Sequence, residues 1–389
     1  MVSGRSSVEA TLEQLLAAKE IVVTCGSGGV GKTTTAAALG TMAAVHLGGK
    51  VLVLTVDPAR RLASAMGLER FGNLEVQVNP ETFAAAGLEP RGELWAAMLD
   101  TKQSWDDLIR RHAPDTKTRD AILANPLYQN VTGKFVQSHD YIAMERLYEL
   151  HTSGVYDLII VDTPPTRNAL DFLQAPERMA EFFSSRLLRW LLAPYRSRFV
   201  NAASRPFYQV ADRILGSAFL QDIAEFFILF QSMYDGFVQR ARAVERVLEE
   251  RRTTFVVVST LESSPAQEAD FFIEALAERR LHLGALVLNK VLPAYLLDPE
   301  ATVAASRLSA DAASLADAVP AAVGEEATVA RVLKEVGDSF LHFQVAAKRE
   351  ATQRADLGVT PEVVASVPYF DTDIFDLGGL ARVGEQLWR

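Results

Sequence analysis

The run Gly26-Ser27-Gly28-Gly29-Val30-Gly31-Lys32-Thr33 sets glycines, a lysine and a hydroxyl at the spacing G-x-x-x-x-G-K-[ST]. Glycines at these positions let successive backbone N–H groups turn inward around a phosphate, and the dipole of a following helix adds positive potential. Lys32 is then placed to reach β- and γ-phosphate oxygens, and the Thr33 hydroxyl to ligate Mg²⁺. Those roles need a strand before the loop and a helix behind it. Ile21-Val22-Val23-Thr24-Cys25 is a short apolar run, and Thr34 to Ala44 is rich in alanine, so both are present. A Gly-rich turn with no phosphate chemistry is the bland alternative, but it does not require every position of the pattern in order. The run predicts a nucleoside triphosphate site with Gly28, Gly29, Val30, Gly31, Lys32, Thr33 and Thr34 as its contacts.

Two acids end apolar runs. Asp57 closes Val51-Leu52-Val53-Leu54-Thr55-Val56 and opens Asp57-Pro58-Ala59-Arg60-Arg61. A carboxylate there can orient the water that attacks a γ-phosphate; the alternative is a helix N-cap, which aspartate before Pro-Ala also suits. Asp162 closes Leu158-Ile159-Ile160-Val161, the Walker B pattern, and would hold a magnesium ligand with Thr33. Its alternative is an ordinary turn acid. The proline-rich turn Thr163-Pro164-Pro165-Thr166 after it suits a switch that senses the γ-phosphate. Asn289-Lys290-Val291-Leu292 begins like the guanine-reading N-K-x-D, yet Leu292 stands where the aspartate should be. GTP selectivity then has no source, and Asn289 is free to hydrogen-bond adenine, so ATP is the expected nucleotide.

These residues need a scaffold that brings strand ends together. Phe255-Val256-Val257-Val258 and Ala285-Leu286-Val287-Leu288 join the runs above as buried strands, with Leu94 to Leu99 and Val363 to Val367 as weaker candidates. Continuous apolarity is expected of strands covered on both faces. Strands alternating with helices imply parallel βαβ units, with ligands at the carboxyl ends, where Gly26, Asp57, Asp162 and Asn289 fall. The expected fold is α/β: a P-loop NTPase with a mainly parallel sheet between helices. Residues 1–389 form one discontinuous ATPase domain in this reading, carrying a helical insert over residues 178–250 and a second helical region over 298–352.

Composition narrows the class. With 49% hydrophobic and 23% charged residues the chain is of ordinary globular type and can bury a large core. The net charge of −10 argues against a nucleic-acid footprint. The single cysteine, Cys25, excludes internal disulfides and multi-thiolate metal sites, and the histidines lack zinc-ligand spacing. Met1 to Glu20 does not read as a secretory signal, and no run reaches the length of a membrane-spanning helix, so a cytoplasmic protein is expected.

Taken in order, Gly28-Gly29-Val30-Gly31-Lys32-Thr33-Thr34, Asp57-Pro58-Ala59 and Asp162-Thr163-Pro164-Pro165-Thr166 resemble the arsenite-pump ATPases and tail-anchored-protein targeting ATPases, within the MinD/ParA-like group of P-loop proteins. The resemblance spans nearly the whole chain. It implies that Asp57 lies in switch I, that Asp162 opens switch II, and that Asn289 and Pro368, in Val367-Pro368, line the adenine pocket. It also implies a dimer, a homodimer or a heterodimer with a related ATPase, and a hydrophobic protein client.

The chain departs from that pattern. The family's signature lysine, first in K-G-G-x-G-K, is replaced by Ser27, and switch II carries Arg167-Asn168 in place of Gly-His. A related partner could supply the missing cation, Arg60, Arg61 or Arg167 could replace it, or turnover could be slow. The Cys-x-x-Cys of the targeting proteins is absent. Phe219, Ile223, Phe226, Phe227 and Phe230 follow helical spacing, which fits either an insert core or a groove for a client. Arg186, Arg189, Arg196, Arg198 and Arg205, interleaved with Trp190, Tyr195 and Phe199, fit a solvated face or transient contact with an anionic membrane surface. Two rivals to the switch remain: a low-turnover nucleotide-binding half of a heterodimer, and a MinD-like ATPase on a membrane surface.

Overall fold

A computed structural model describes residues 11–56, 61–68, 72–132, 136–163, 174–175, 177–178, 181, 225–320, 324–356 and 361–388. Among them, eight strands form one sheet: β1 Ile21–Cys25, β2 Lys50–Thr55, β3 Val76–Gln77, β4 Glu93–Met98, β5 Leu158–Asp162, β6 Thr253–Ser259, β7 Leu283–Val291 and β8 Val363–Pro368. The spatial order is β3-β4-β2-β5-β1-β6-β7-β8, and every pair is parallel except β3 with β4. This is the α/β P-loop fold expected from the sequence. β3 was not foreseen: two residues long and half exposed, it carries no apolar run to betray it.

Side chains alternate between two cores. Ile21, Val23 and Cys25 of β1 face one apolar cluster, shared with helices Thr101–His112, Val136–Thr152, Tyr234–Glu249 and Ser263–Glu278. Val22, Val51 and Val53 face the other, shared with helices Lys32–His46 and Leu377–Trp388. Both faces of the sheet are therefore dry, which is why its strands read as unbroken apolar runs.

The end of the 178–250 stretch packs directly on the sheet. Helix Tyr234–Glu249 buries Phe237, Ala241, Val244 and Leu248, a single face at helical spacing, in the cluster that holds Phe255 and Val257 of β6. Phe226 and Phe230 are buried beside it, with ring centroids 4.6 Å apart and Phe230 stacked on Phe237 at 5.7 Å. At these positions the phenylalanine stripe is core. Phe219, Ile223 and the arginine run from Arg186 to Arg205 lie outside the described residues.

The 298–352 stretch forms helices Pro299–Ala310, Ala312–Asp317 and Glu326–Ala355, between β7 and β8. Asp298 caps the first, accepting the Glu300 N–H at 2.8 Å with Pro299 at the opening turn. Glu350 accepts the Leu292 N–H at 3.0 Å and so ties this arm to the end of β7. Among the described residues, no helix is long and apolar enough to cross a membrane.

Candidate nucleotide site

β1 lies inside the sheet, between β5 and β6, so the loop after it opens among strand ends on both sides. Gly26 turns away from the sheet at φ +144°, and a Cβ there would stand 2.1 Å from the Val258 carbonyl oxygen. Gly31, at φ +97°, caps helix Lys32–His46 in the left-handed region. Only glycine takes up such geometry without strain. The N–H groups of Lys32, Thr33 and Thr34 open the helix and are the donors a phosphate would meet. Gly28 and Gly29 form the exposed tip of the loop, while Val30 is buried.

Lys32 is only 6% exposed, and its ammonium donates to the Ser27 carbonyl at 2.7 Å. The long side chain thus curls back over its own loop. Across the mouth, Thr33 Oγ1 donates to Asp162 Oδ2 at 2.7 Å, joining residues 129 positions apart. Asp162 is fully buried at the end of β5. The two metal-ligand candidates are therefore together, beside Lys32, as their motifs require.

One residue was missed. Thr55 Oγ1, at the end of β2, donates to the same Asp162 Oδ2 at 2.8 Å. The carboxylate is thus oriented from both flanking elements. The only sequence signal was a hydroxyl in the last turn of an apolar run, two residues before Asp57. Thr55→Val should weaken magnesium-dependent hydrolysis about 10- to 100-fold, since a hydrogen bond to a charged group contributes about 1.5–3 kcal/mol. Thr55→Ser should keep the activity. A magnesium titration of the hydrolysis rate reads both.

Asn289 does not stand apart from the loop: Nδ2 donates to the Val30 carbonyl at 2.7 Å, and Oδ1 accepts the Lys290 N–H at 2.9 Å. Pro368 lies at the same carboxyl edge, in register with Val291, and the Tyr369 N–H donates to the Val291 carbonyl at 2.9 Å. Val56 reaches Asp162 through its N–H, 3.0 Å from the Asp162 carbonyl, and Thr163 Oγ1 donates to the Thr24 carbonyl at 2.8 Å. Asp57 to Arg60 and Pro164 to Asn168 lie outside the described residues, as does the Arg61 side chain, so switch I and most of switch II do too. Cys25, buried under the loop, has its thiol pushed far up by burial and stays protonated.

The donor set fits a magnesium nucleotide. Hydroxyl and carboxylate oxygens are the hard ligands magnesium takes, and an inward-turned loop without Cβ atoms at Gly26 and Gly31 suits a polyphosphate.

Comparison with known proteins bears on the same residues. A family model described as anion-transporting ATPase matches residues 19–317. ATPase GET3 of Malassezia globosa is 26% identical over 284 residues, covering 72% of this chain and 76% of that protein. ATPase ASNA1 homolog 1 of Paramecium tetraurelia is 26% identical over 293 residues, covering 74% and 80%. An uncharacterised protein of Streptomyces coelicolor is 30% identical over 270 residues, covering 69% and 61%. With the phosphate loop, Lys32, Thr33 and Asp162 assembled at the carboxyl edge of a parallel sheet, and a family match over most of its length, this chain is an ATPase and belongs to the anion-transporting ATPase family.

Proposed function

We propose that this ATPase is a cytoplasmic, magnesium-dependent switch that alternates between nucleotide-bound dimer states and handles a hydrophobic client. The observation that supports the site most strongly is the Thr33–Asp162 contact of 2.7 Å beside Lys32. Bound magnesium would neutralise charge on the phosphates, held by Thr33 and, directly or through water, by Asp162. The loop N–H groups grip the polyphosphate, Lys32 moves from the Ser27 carbonyl to the phosphates, and Asp57 orients the attacking water. Asp162 leads straight into Thr163 and the Pro164-Pro165 segment of the sequence, which gives nucleotide state a route out of the site. Phe226, Phe230 and Phe237 are buried, so a client surface draws on other residues.

Ser27 favours a heterodimer. It is 8% exposed and short, so it brings no cation across an interface. A cation supplied in trans contributes about 10³–10⁵ in related phosphoryl transfers. A sister ATPase bearing its own lysine would restore it. Ser27→Lys should therefore raise single-chain turnover and promote a dimer in Mg-ATP, read by phosphate release and sedimentation velocity. If both stay at the wild-type level, the in-trans reading fails.

A further inference from the structure

The end of β7 grips the outside of the phosphate loop at consecutive carbonyls. Asn289 Nδ2 donates to the Val30 carbonyl at 2.7 Å, and the exposed Lys290 ammonium donates to the Gly29 carbonyl at 3.3 Å. In a trans peptide unit the C=O and the following N–H point in opposite directions. Holding the Val30 carbonyl outward therefore aims the Gly31 N–H inward, and holding the Gly29 carbonyl aims the Val30 N–H inward. A carbonyl turned the other way would face the phosphates and repel them.

Further observations show that this contact is built in. A Cβ on Gly31 would stand 2.2 Å from Asn289 Nδ2, so the glycine is required for the amide to reach its carbonyl. Asn289 is oriented in turn by the Lys290 N–H, 2.9 Å from Oδ1. Lys290 adopts φ +58°, a left-handed conformation that costs a side-chain-bearing residue free energy and collects at functional sites. That backbone lets one dipeptide serve both carbonyls.

We propose that Asn289-Lys290 is a latch that pre-forms the phosphate loop, so that both are positioning residues for the polyphosphate. The proposal rests on the reading that the nucleotide binds at the Lys32 loop. It also puts a cation at the loop tip, where Ser27 offers none.

Binding of Mg-ATP, Mg-GTP and Mg-tripolyphosphate to the full chain tests it, measured by calorimetry for wild type, Asn289→Ala, Asn289→Asp and Lys290→Ala, with thermal melts as the folding control. Asn289→Ala should weaken all three ligands, the base-free Mg-tripolyphosphate included, about tenfold for one lost hydrogen bond. Asn289→Asp keeps the acceptor for the Lys290 N–H but loses the donor and adds a negative charge beside the loop, so it should weaken all three at least as much. Lys290→Ala changes only an exposed side chain, so the fold is retained, and should weaken all three about threefold. Weaker Mg-ATP with unchanged Mg-tripolyphosphate would make Asn289 a base reader and overturn the latch, as would variants that bind like wild type. A wild-type chain that takes up none of the three would overturn the nucleotide reading itself, and the latch with it.

Discussion

Lys32→Ala is expected to lower the rate of phosphate release at saturating Mg-ATP by about 10²–10³, the loss seen when one preorganised charge donor is removed from a water-poor site. Lys32 is almost fully buried, and its ammonium sits 2.7 Å from the Ser27 carbonyl. That contact holds the charge over the phosphate loop. Lys32 is the one charged side chain of Gly26 to Thr33, and so the group placed to meet charge that develops on the transferred phosphoryl group. Lys32→Arg should not rescue the rate, because a planar, five-donor guanidinium cannot replace a compact ammonium in a closely packed loop. Both variants should keep their circular dichroism spectrum, since Lys32 belongs to neither apolar core. A Lys32→Ala chain with wild-type turnover would remove the loop from the chemistry.

Arg240→Ala is expected to destabilise the fold by about 3–5 kcal/mol at neutral pH, the usual result of stripping one partner from a buried ion pair. Arg240 Nε donates to Glu145 Oε1, and Glu145 is 5% exposed and also accepts the Tyr141 hydroxyl at 2.9 Å. This cluster joins helices Val136–Thr152 and Tyr234–Glu249, with the guanidinium 5.0 Å from the Phe237 ring centroid. Burial holds the Glu145 carboxyl above its ordinary range, while Arg240 pulls the other way. Burial likewise keeps the Tyr141 hydroxyl protonated, and burial followed by the Arg240 charge lowers His112.

Without Arg240 the native Glu145 pKa must climb further, while its unfolded value stays put. A carboxyl with a raised native pKa takes up protons on folding, so stability grows as pH falls through the native pKa towards the unfolded one. Losing Arg240 also lifts the native His112 pKa, which acts in the same direction. The deficit of the variant should thus be largest at neutral pH and shrink as pH falls towards 5. Urea unfolding of wild type and variant at both pH values measures it. Adding Glu145→Gln to Arg240→Ala should recover most of the loss at neutral pH, because the stranded charge goes with it. A deficit that does not change with pH would show that lost packing dominates.

Much of the site was legible because local patterns imply local geometry. The glycine spacing of residues 26–31 forces a turn, and an apolar run closed by an acid is a strand end, so the sequence alone places Lys32, Thr33 and Asp162. Thr55 escaped because its role depends on β2 lying beside β5, a register that apolar runs do not encode. Asn289 was visible as a residue at a strand end, but its partner lies 259 positions away in the loop, and only the fold reveals that contact. Helix Tyr234–Glu249 shows the same limit: its apolar period was plain, yet whether it packed within an insert or on the sheet was not. The switch acids and turns at Asp57 and Pro164 to Asn168 rest on the sequence and on the family pattern.

A structure of the full chain with magnesium and a non-hydrolysable ATP analogue puts the whole site to the test. The triphosphate should lie against the N–H groups of Gly29 to Thr33, with the Lys32 ammonium moved from the Ser27 carbonyl to the phosphates and magnesium beside Thr33 and Asp162. A nucleotide bound elsewhere, with Lys32 still resting on Ser27, would contradict it.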